Sequence, residues 1–199
     1  MWQVISNVNF SGSTGTCAPG DTSIMGSLSF VSYWGEWYNQ FGAGPFPVVG
    51  GTYSGGVLTD PLQLVPGLSH NNNVHSNFCF DVNVPLGCAG LIGIDIEIQN
   101  PADVASDGNH AGSHPFFIIT DVVECPVNPN TSLQIGPDTS VVGYACLNPT
   151  HLRKTLLAYL PATFTPSGST TKRFAIGFVN DYRIADVKYT LHDVFWRNV

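Results

Sequence analysis

Apolar and polar residues alternate along most of this chain with a period of two, the mark of strands that bury one face. In WQVISNVNF, Trp2, Val4, Val8 and Phe10 fall on one side. In SIMGSLSFVSYW, Ile24, Leu28, Phe30 and Trp34 do the same. NFCFDVNV directs Phe78, Phe80, Val82 and Val84 inward and Cys79, Asp81 and Asn83 outward. In GIDIEIQN, Ile92, Ile94, Ile96 and Ile98 alternate strictly, leaving Gly93, Asp95, Glu97 and Gln99 on the opposite face. A short turn at Pro85 to Gly87 links these last two runs and predicts a hairpin. HPFFIITDVVEC, SVVGYACL, KRFAIGFV and ADVKYTLHDVFWR supply further strands, separated by clusters such as GAGPFP, PVNPNTS and TPSGSTT that break regular structure.

One segment carries two patterns. In PTHLRKTLLAYLPATF, Leu152, Leu156 and Tyr159 have helical spacing with Thr150 placed to cap, and the same residues also read as a strand ending before Pro161. The expectation is a short helical turn followed by a strand. About ten strands with turn signals at short intervals predict an all-β fold: a two-sheet antiparallel β-sandwich, jelly-roll-like, with at most one short helix. No repeat or dividing linker breaks residues 1–199, which read as a single domain.

Composition sharpens this picture. Only 11% of residues are charged, while 43% are hydrophobic and Gly (21) and Pro (14) are frequent. That balance suits a loop-rich β protein with a sizeable core and argues against disorder. The net charge of −7 is unevenly laid out: residues 1–152 hold eleven of the fourteen acids and no Lys or Arg. The seven bases, Arg153, Lys154, Lys172, Arg173, Arg183, Lys188 and Arg197, are scattered through an acidic protein, which excludes the clustered basic face of a nucleic-acid binder. The basic C-terminal part is placed to neutralise the acidic remainder, within one subunit or between subunits. No apolar run is long enough for a membrane-spanning helix, and MWQVISNVNF lacks the regions of a signal peptide. Five cysteines, Cys17, Cys79, Cys88, Cys125 and Cys146, are odd in number and form no CxxC, so free, mostly buried thiols made in a reducing cytoplasm are expected.

Candidate chemistry is sparse. Asp95 and Glu97 stand on one strand face, roughly 6.5–7 Å apart, close enough to share a substrate. His70 and His75, and His110 and His114, lie in Asn- and Gly-rich stretches without a carboxylate or cysteine at zinc spacing, so they read as polar surface residues and no metal or cofactor is expected. Asp103, Ser106, Asp107 and Asn109 are oxygen-rich enough for calcium but lack a closing glutamate. The aromatic cluster of YWGEWYNQFG offers Trp34, Trp37, Tyr38 and Phe41 as rings that stack on sugars or anchor a protein contact, or else pack beneath the next loop. No GxSxG, Walker loop, GxGxxG or HExxH occurs, and the chain is not expected to be an enzyme.

Two resemblances attach to particular residues. GIDIEIQN is similar to the strand motif of laminarinase-type glycoside hydrolases, acid-x-acid-x-acid with the first acid as nucleophile and the last as acid/base. Here the first position is Gly93, so the resemblance implies a strand that lacks its nucleophile, with Asp95 and Glu97 on a solvated outer face. The run from Ala162 to Val199, ending His192-Asp193-Val194-Phe195-Trp196-Arg197, resembles the closing strands of jelly-roll carbohydrate-binding modules and related virion β-sandwiches. The first expectation is therefore a structural subunit of a virus particle (capsid-associated, decoration or tail protein), contacting copies of itself and other virion proteins. The alternative is a carbohydrate-binding β-sandwich, secreted and contacting glycans. A glycoside hydrolase using Asp95 and Glu97 is the third. Neither nucleic acid nor membrane is an expected partner.

Overall fold

The computed structural model describes residues 20–38, 46–48, 50–61, 73–85, 90–99, 114–120, 122–125, 134–135, 141–148, 150–160, 171–180 and 186–198. The expected N-terminal strand (Trp2 to Phe10), the oxygen-rich run at Asp103 to Asn109, His70, His110 and Phe41 lie outside them. Fourteen strands are described: β1 Asp21–Ser23, β2 Ser29–Tyr38, β3 Phe46–Val48, β4 Thr52–Ser54, β5 Val57–Asp60, β6 Asn73–Asn83, β7 Gly90–Ile98, β8 His114–Ile119, β9 Val122–Glu124, β10 Gln134–Ile135, β11 Val141–Leu147, β12 Arg153–Leu160, β13 Thr171–Asn180 and β14 Val187–Asn198. The one helical element among the described residues is a 3-10 turn, Met25–Ser27.

The strands form an antiparallel two-sheet sandwich. Sheet one runs β12-β7-β14-β5-β4, with β1 beside the C-terminal half of β14. Sheet two runs β11-β8-β13-β6-β2-β3, and β9 and β10 make a separate two-stranded ribbon. Sheet one presents mainly branched aliphatics to the interior: Ile92, Ile94, Ile96, Ile98, Leu58, Leu156, Leu191 and Val194 are buried. Sheet two answers with Phe78, Phe80, Phe116, Phe174 and Phe178. Phe178 stacks on Tyr189 across the layers at 4.0 Å between ring centroids, and Phe78 meets Phe178 edge-on at 5.9 Å. Rings from sheet two, joined by Tyr189 and Trp196 of β14, interdigitate with the branched aliphatics of sheet one to fill the interlayer space.

One polar cluster crosses the layers. Asp60, fully buried at the end of β5, accepts hydrogen bonds from Tyr33 Oη on β2 (2.7 Å) and Ser76 Oγ on β6 (3.0 Å). A carboxylate removed from water needs such donors, so the cluster ties sheet one to sheet two at a fixed place.

Two local expectations are overturned. Strands β6 and β7 are not a hairpin: β6 pairs with β2 and β13, while β7 pairs with β12 and β14 in the other sheet. Each strand carries a full apolar face, and a sandwich buries both by packing them against each other rather than edge to edge. The segment after Thr150 is also not helical. Asn148 Oδ1 accepts from the backbone N–H groups of Thr150 and His151 and from Thr150 Oγ1, closing a tight turn, and β12 then runs as a strand with Leu156 and Ala158 buried. Asn and Thr side chains that bond locally favour turns over helix starts.

Register shifts in β2 and β14 change which side chains face the core. In β2 the register shifts between Phe30 and Ser32, leaving Val31 exposed. Phe30 faces Phe80 and Tyr33 faces Phe78, both toward the core, so Trp34 passes to the outer face opposite Asn77. In β14 the shift falls between Leu191 and Asp193, so Leu191 and Val194, three apart, both point inward.

Candidate functional site

The outer face of sheet one carries the carboxylates that the sequence singles out. Arg153 Nε and Nη2 clamp Asp95 from β12 at 2.9 and 2.6 Å. That guanidinium holds the Asp95 carboxyl below its ordinary value, against a smaller opposing effect of burial. His192 Nε2 lies 2.6 Å from Glu97 Oε2. Arg197 clamps Asp21, lowering that carboxyl as well, Ser23 donates to Asp193, and Gln99 donates to Thr190. Above Gly93, where the glycosidase-like motif has its nucleophile, lies the ring of Phe195 from β14. This face is a ladder of cross-strand pairs whose polar groups satisfy one another. The Asp95 carboxylate is held by Arg153, and an aromatic ring occupies the ground above Gly93.

The outer face of sheet two is different. Register places Trp34, Asn77, Gly177 and Phe117 in one row across β2, β6, β13 and β8. At the spacing of neighbouring strands the row is about 14 Å long. Trp34 and Phe117 are half-buried, so each keeps part of its ring accessible. Phe117 leans over Gly177, and the Asn77 carboxamide oxygen approaches the same glycine from the other side. Gly177 opens this ground: a Cβ there would stand 2.3 Å from Phe117 Cζ and 2.9 Å from Asn77 Oδ1. Asn77 is 4% exposed, and its Oδ1 has no hydrogen-bond partner among the described residues. A buried carbonyl oxygen without a donor costs about 1–3 kcal/mol, which makes this oxygen a candidate acceptor for a donor not among the described residues.

Beside this row the face is roofed. Cys79, Ala175, Ile119, Val122 and Cys125 form a small second core, with Phe117 packed on it. Arg173 anchors the roof: it clamps Asp81 at 2.7 and 2.9 Å and reaches the carbonyl of Val123 in β9 at 3.4 Å.

Of the four aromatics singled out from sequence, Trp34 joins this row. Trp37 and Tyr38 continue β2 opposite Val74 and Asn73, and their side chains lie outside the described residues, as does Phe41. Asn77, Gly177 and Phe117 gave no signal in the sequence, because a strand Asn reads as ordinary solvated surface and only the register brings the four together. Among the described residues no three His, Cys, Asp or Glu side chains gather to hold a metal ion.

No protein-family model matches the chain, and no curated protein matches it. Among solved structures it is similar to a family 61 carbohydrate-binding module in complex with β-1,4-galactotriose, at 5% identity and TM-score 0.36, covering 90% of this chain and 88% of that one. It is similar to a xylan-binding module of family 15 at 12% identity and TM-score 0.39, covering 86% and 96%. A family 11 carbohydrate-binding module of a cellulosomal cellulase of Clostridium thermocellum follows at 10% identity and TM-score 0.30, covering 92% and 97%. These likenesses are too loose to assign a ligand or a site. The class the strands themselves define is an antiparallel β-sandwich.

Proposed function

We propose that this protein binds carbohydrate on the outer face of sheet two, along the row Trp34–Asn77–Gly177–Phe117. The observation that carries this is the Asn77 carboxamide oxygen, buried without a partner between two half-exposed aromatic rings. Aromatic faces stack on the C–H face of a pyranose, and a fixed acceptor beside them takes a sugar hydroxyl. The paired ladder on sheet one supports the choice of face, since its named polar groups already have partners within the protein. A row about 14 Å long suits a short oligosaccharide better than a single sugar.

The test is a glycan screen followed by calorimetry on the best ligand, with Trp34→Ala as the site variant and Arg153→Gln on the opposite sheet as the control. Binding by the parent, a loss of at least about tenfold in Trp34→Ala and no change in Arg153→Gln is the expected pattern. Unchanged affinity in Trp34→Ala, or a parent that binds no glycan, contradicts the proposal. A mass that grows with concentration, together with silence toward glycans, would favour the subunit of a virus particle instead, with another protein copy covering this face.

A further inference from the structure

We propose that Cys79 and Cys125 are a disulfide-forming pair that closes under oxidising conditions and locks the β9 segment onto sheet two. Cys79 lies on the outer face of β6 and Cys125 directly follows β9; both are buried in the same small apolar cluster, and both are unbridged here. Their thiols are within hydrogen-bonding reach of each other, with the Ser32 hydroxyl beside them and the Arg173 guanidinium close by. The fold brings together thiols about 46 residues apart in sequence, and closure requires the two buried side chains to reach disulfide geometry.

The pair is chemically asymmetric. The Cys79 thiol donates its hydrogen bond to Cys125, which pushes Cys79 up and holds Cys125 below its ordinary value, with Arg173 adding to the second effect. Cys125, which directly follows the short strand β9, is placed to meet the reagent first. It attacks one sulfur of a small-molecule disulfide such as oxidised glutathione, the S–S bond breaks, and one thiolate leaves. Cys79 then gives up its proton and attacks the Cys125 sulfur of the mixed disulfide, releasing the second small thiol. Two protein thiols and one small disulfide yield one protein disulfide and two small thiols, so the protein is oxidised by two electrons and the reagent reduced by two. Access comes through the ribbon: β9 has three residues, with Val123 and Glu124 exposed, and among the described residues its strand partner is the two-residue β10. Units this small open locally far below the global stability.

Closure would bear on the neighbouring row, because Cys79 stands two residues from Asn77 on the same strand face. The inference itself does not depend on carbohydrate binding. The experiment incubates the full chain with oxidised glutathione, blocks residual thiols, and maps cysteine linkages by mass spectrometry, with melting measured before and after reduction. The expected result is a Cys79–Cys125 linked peptide and a melting temperature higher by on the order of 10 °C, abolished in Cys125→Ala. Persistent free thiols at both positions, stable glutathione adducts without closure, or linkage of either to Cys17, Cys88 or Cys146 would overturn it. The linkage map on the parent decides the matter even if Cys125→Ala fails to fold.

Discussion

Gly93 is small because Phe195 lies on it, and this can be tested as a change of sign. A Cβ at residue 93 would stand 2.1 Å from Phe195 Cζ and 2.3 and 2.5 Å from its Cε atoms, far inside the roughly 3.5–4.0 Å of favourable carbon contact. The backbone of Gly93 is ordinary strand, paired with Phe195 on one side and Leu157 on the other, so an alanine there meets no dihedral penalty. The cost of Gly93→Ala is therefore displacement of a ring that is 7% exposed, about 1–3 kcal/mol for an overpacked site. Without the ring the same substitution should help, because alanine loses less chain entropy than glycine, by about 0.4–1 kcal/mol. Urea unfolding of the parent, Gly93→Ala, Phe195→Ala and the double variant completes the cycle. Expected is destabilisation by Gly93→Ala in the parent, stabilisation in Phe195→Ala, and a coupling of about 2 kcal/mol. Equal costs in both backgrounds would refute the packing account and leave Gly93 open to another explanation.

Further outcomes follow from other contacts. Tyr33→Phe removes a donor from the buried Asp60 carboxylate and should cost about 1.5–3 kcal/mol by urea unfolding, with a smaller loss in Ser76→Ala. Asn77→Ala should leave stability unchanged or raise it, since it deletes an unpaired buried oxygen, while weakening glycan binding severalfold; loss of both together would mark Asn77 as structural. Asp95 has its folded pKa depressed by Arg153, so its contribution is present above the unfolded value of 3.8 and is lost as pH falls through the lower folded value. Arg153→Gln should accordingly destabilise only slightly at neutral pH, this pair being largely solvent-screened, and the difference from the parent should fade in unfolding curves taken at progressively lower pH below 3.8.

The layers of this fold were legible wherever alternation ran unbroken. Ile92 to Ile98 and Phe78 to Val84 declared both their strand and the face it turns to the core, because a period of two leaves no other way to hide them. Alternation names faces but not partners, which is why β6 and β7 read as a hairpin: proximity in sequence favours pairing, and nothing local encodes the arch between sheets. Register shifts defeated the pattern more subtly. Counting by twos puts Trp34 with Phe30, yet the extra residue at Val31 sends it to the outer face, where it meets Asn77. The candidate row was therefore readable at one position in four. Phe117 and Gly177 belong to strands far apart in sequence, and the missing partner of Asn77 is a property of the assembled face alone. The carboxylates of GIDIEIQN showed the reverse: they stand on the outer face as alternation requires, and their cross-strand partners Arg153 and His192 come from the part of the chain that holds all seven bases.

The most direct test of the central claim is a titration of isotope-labelled protein with short oligosaccharides, followed by nuclear magnetic resonance. The indole signal of Trp34, the side-chain amide of Asn77 and the backbone of Gly177 are expected to shift together, with β7 and β12 unmoved. Shifts confined to the paired face of sheet one around Asp95 and Glu97, or none at saturating oligosaccharide, would contradict it.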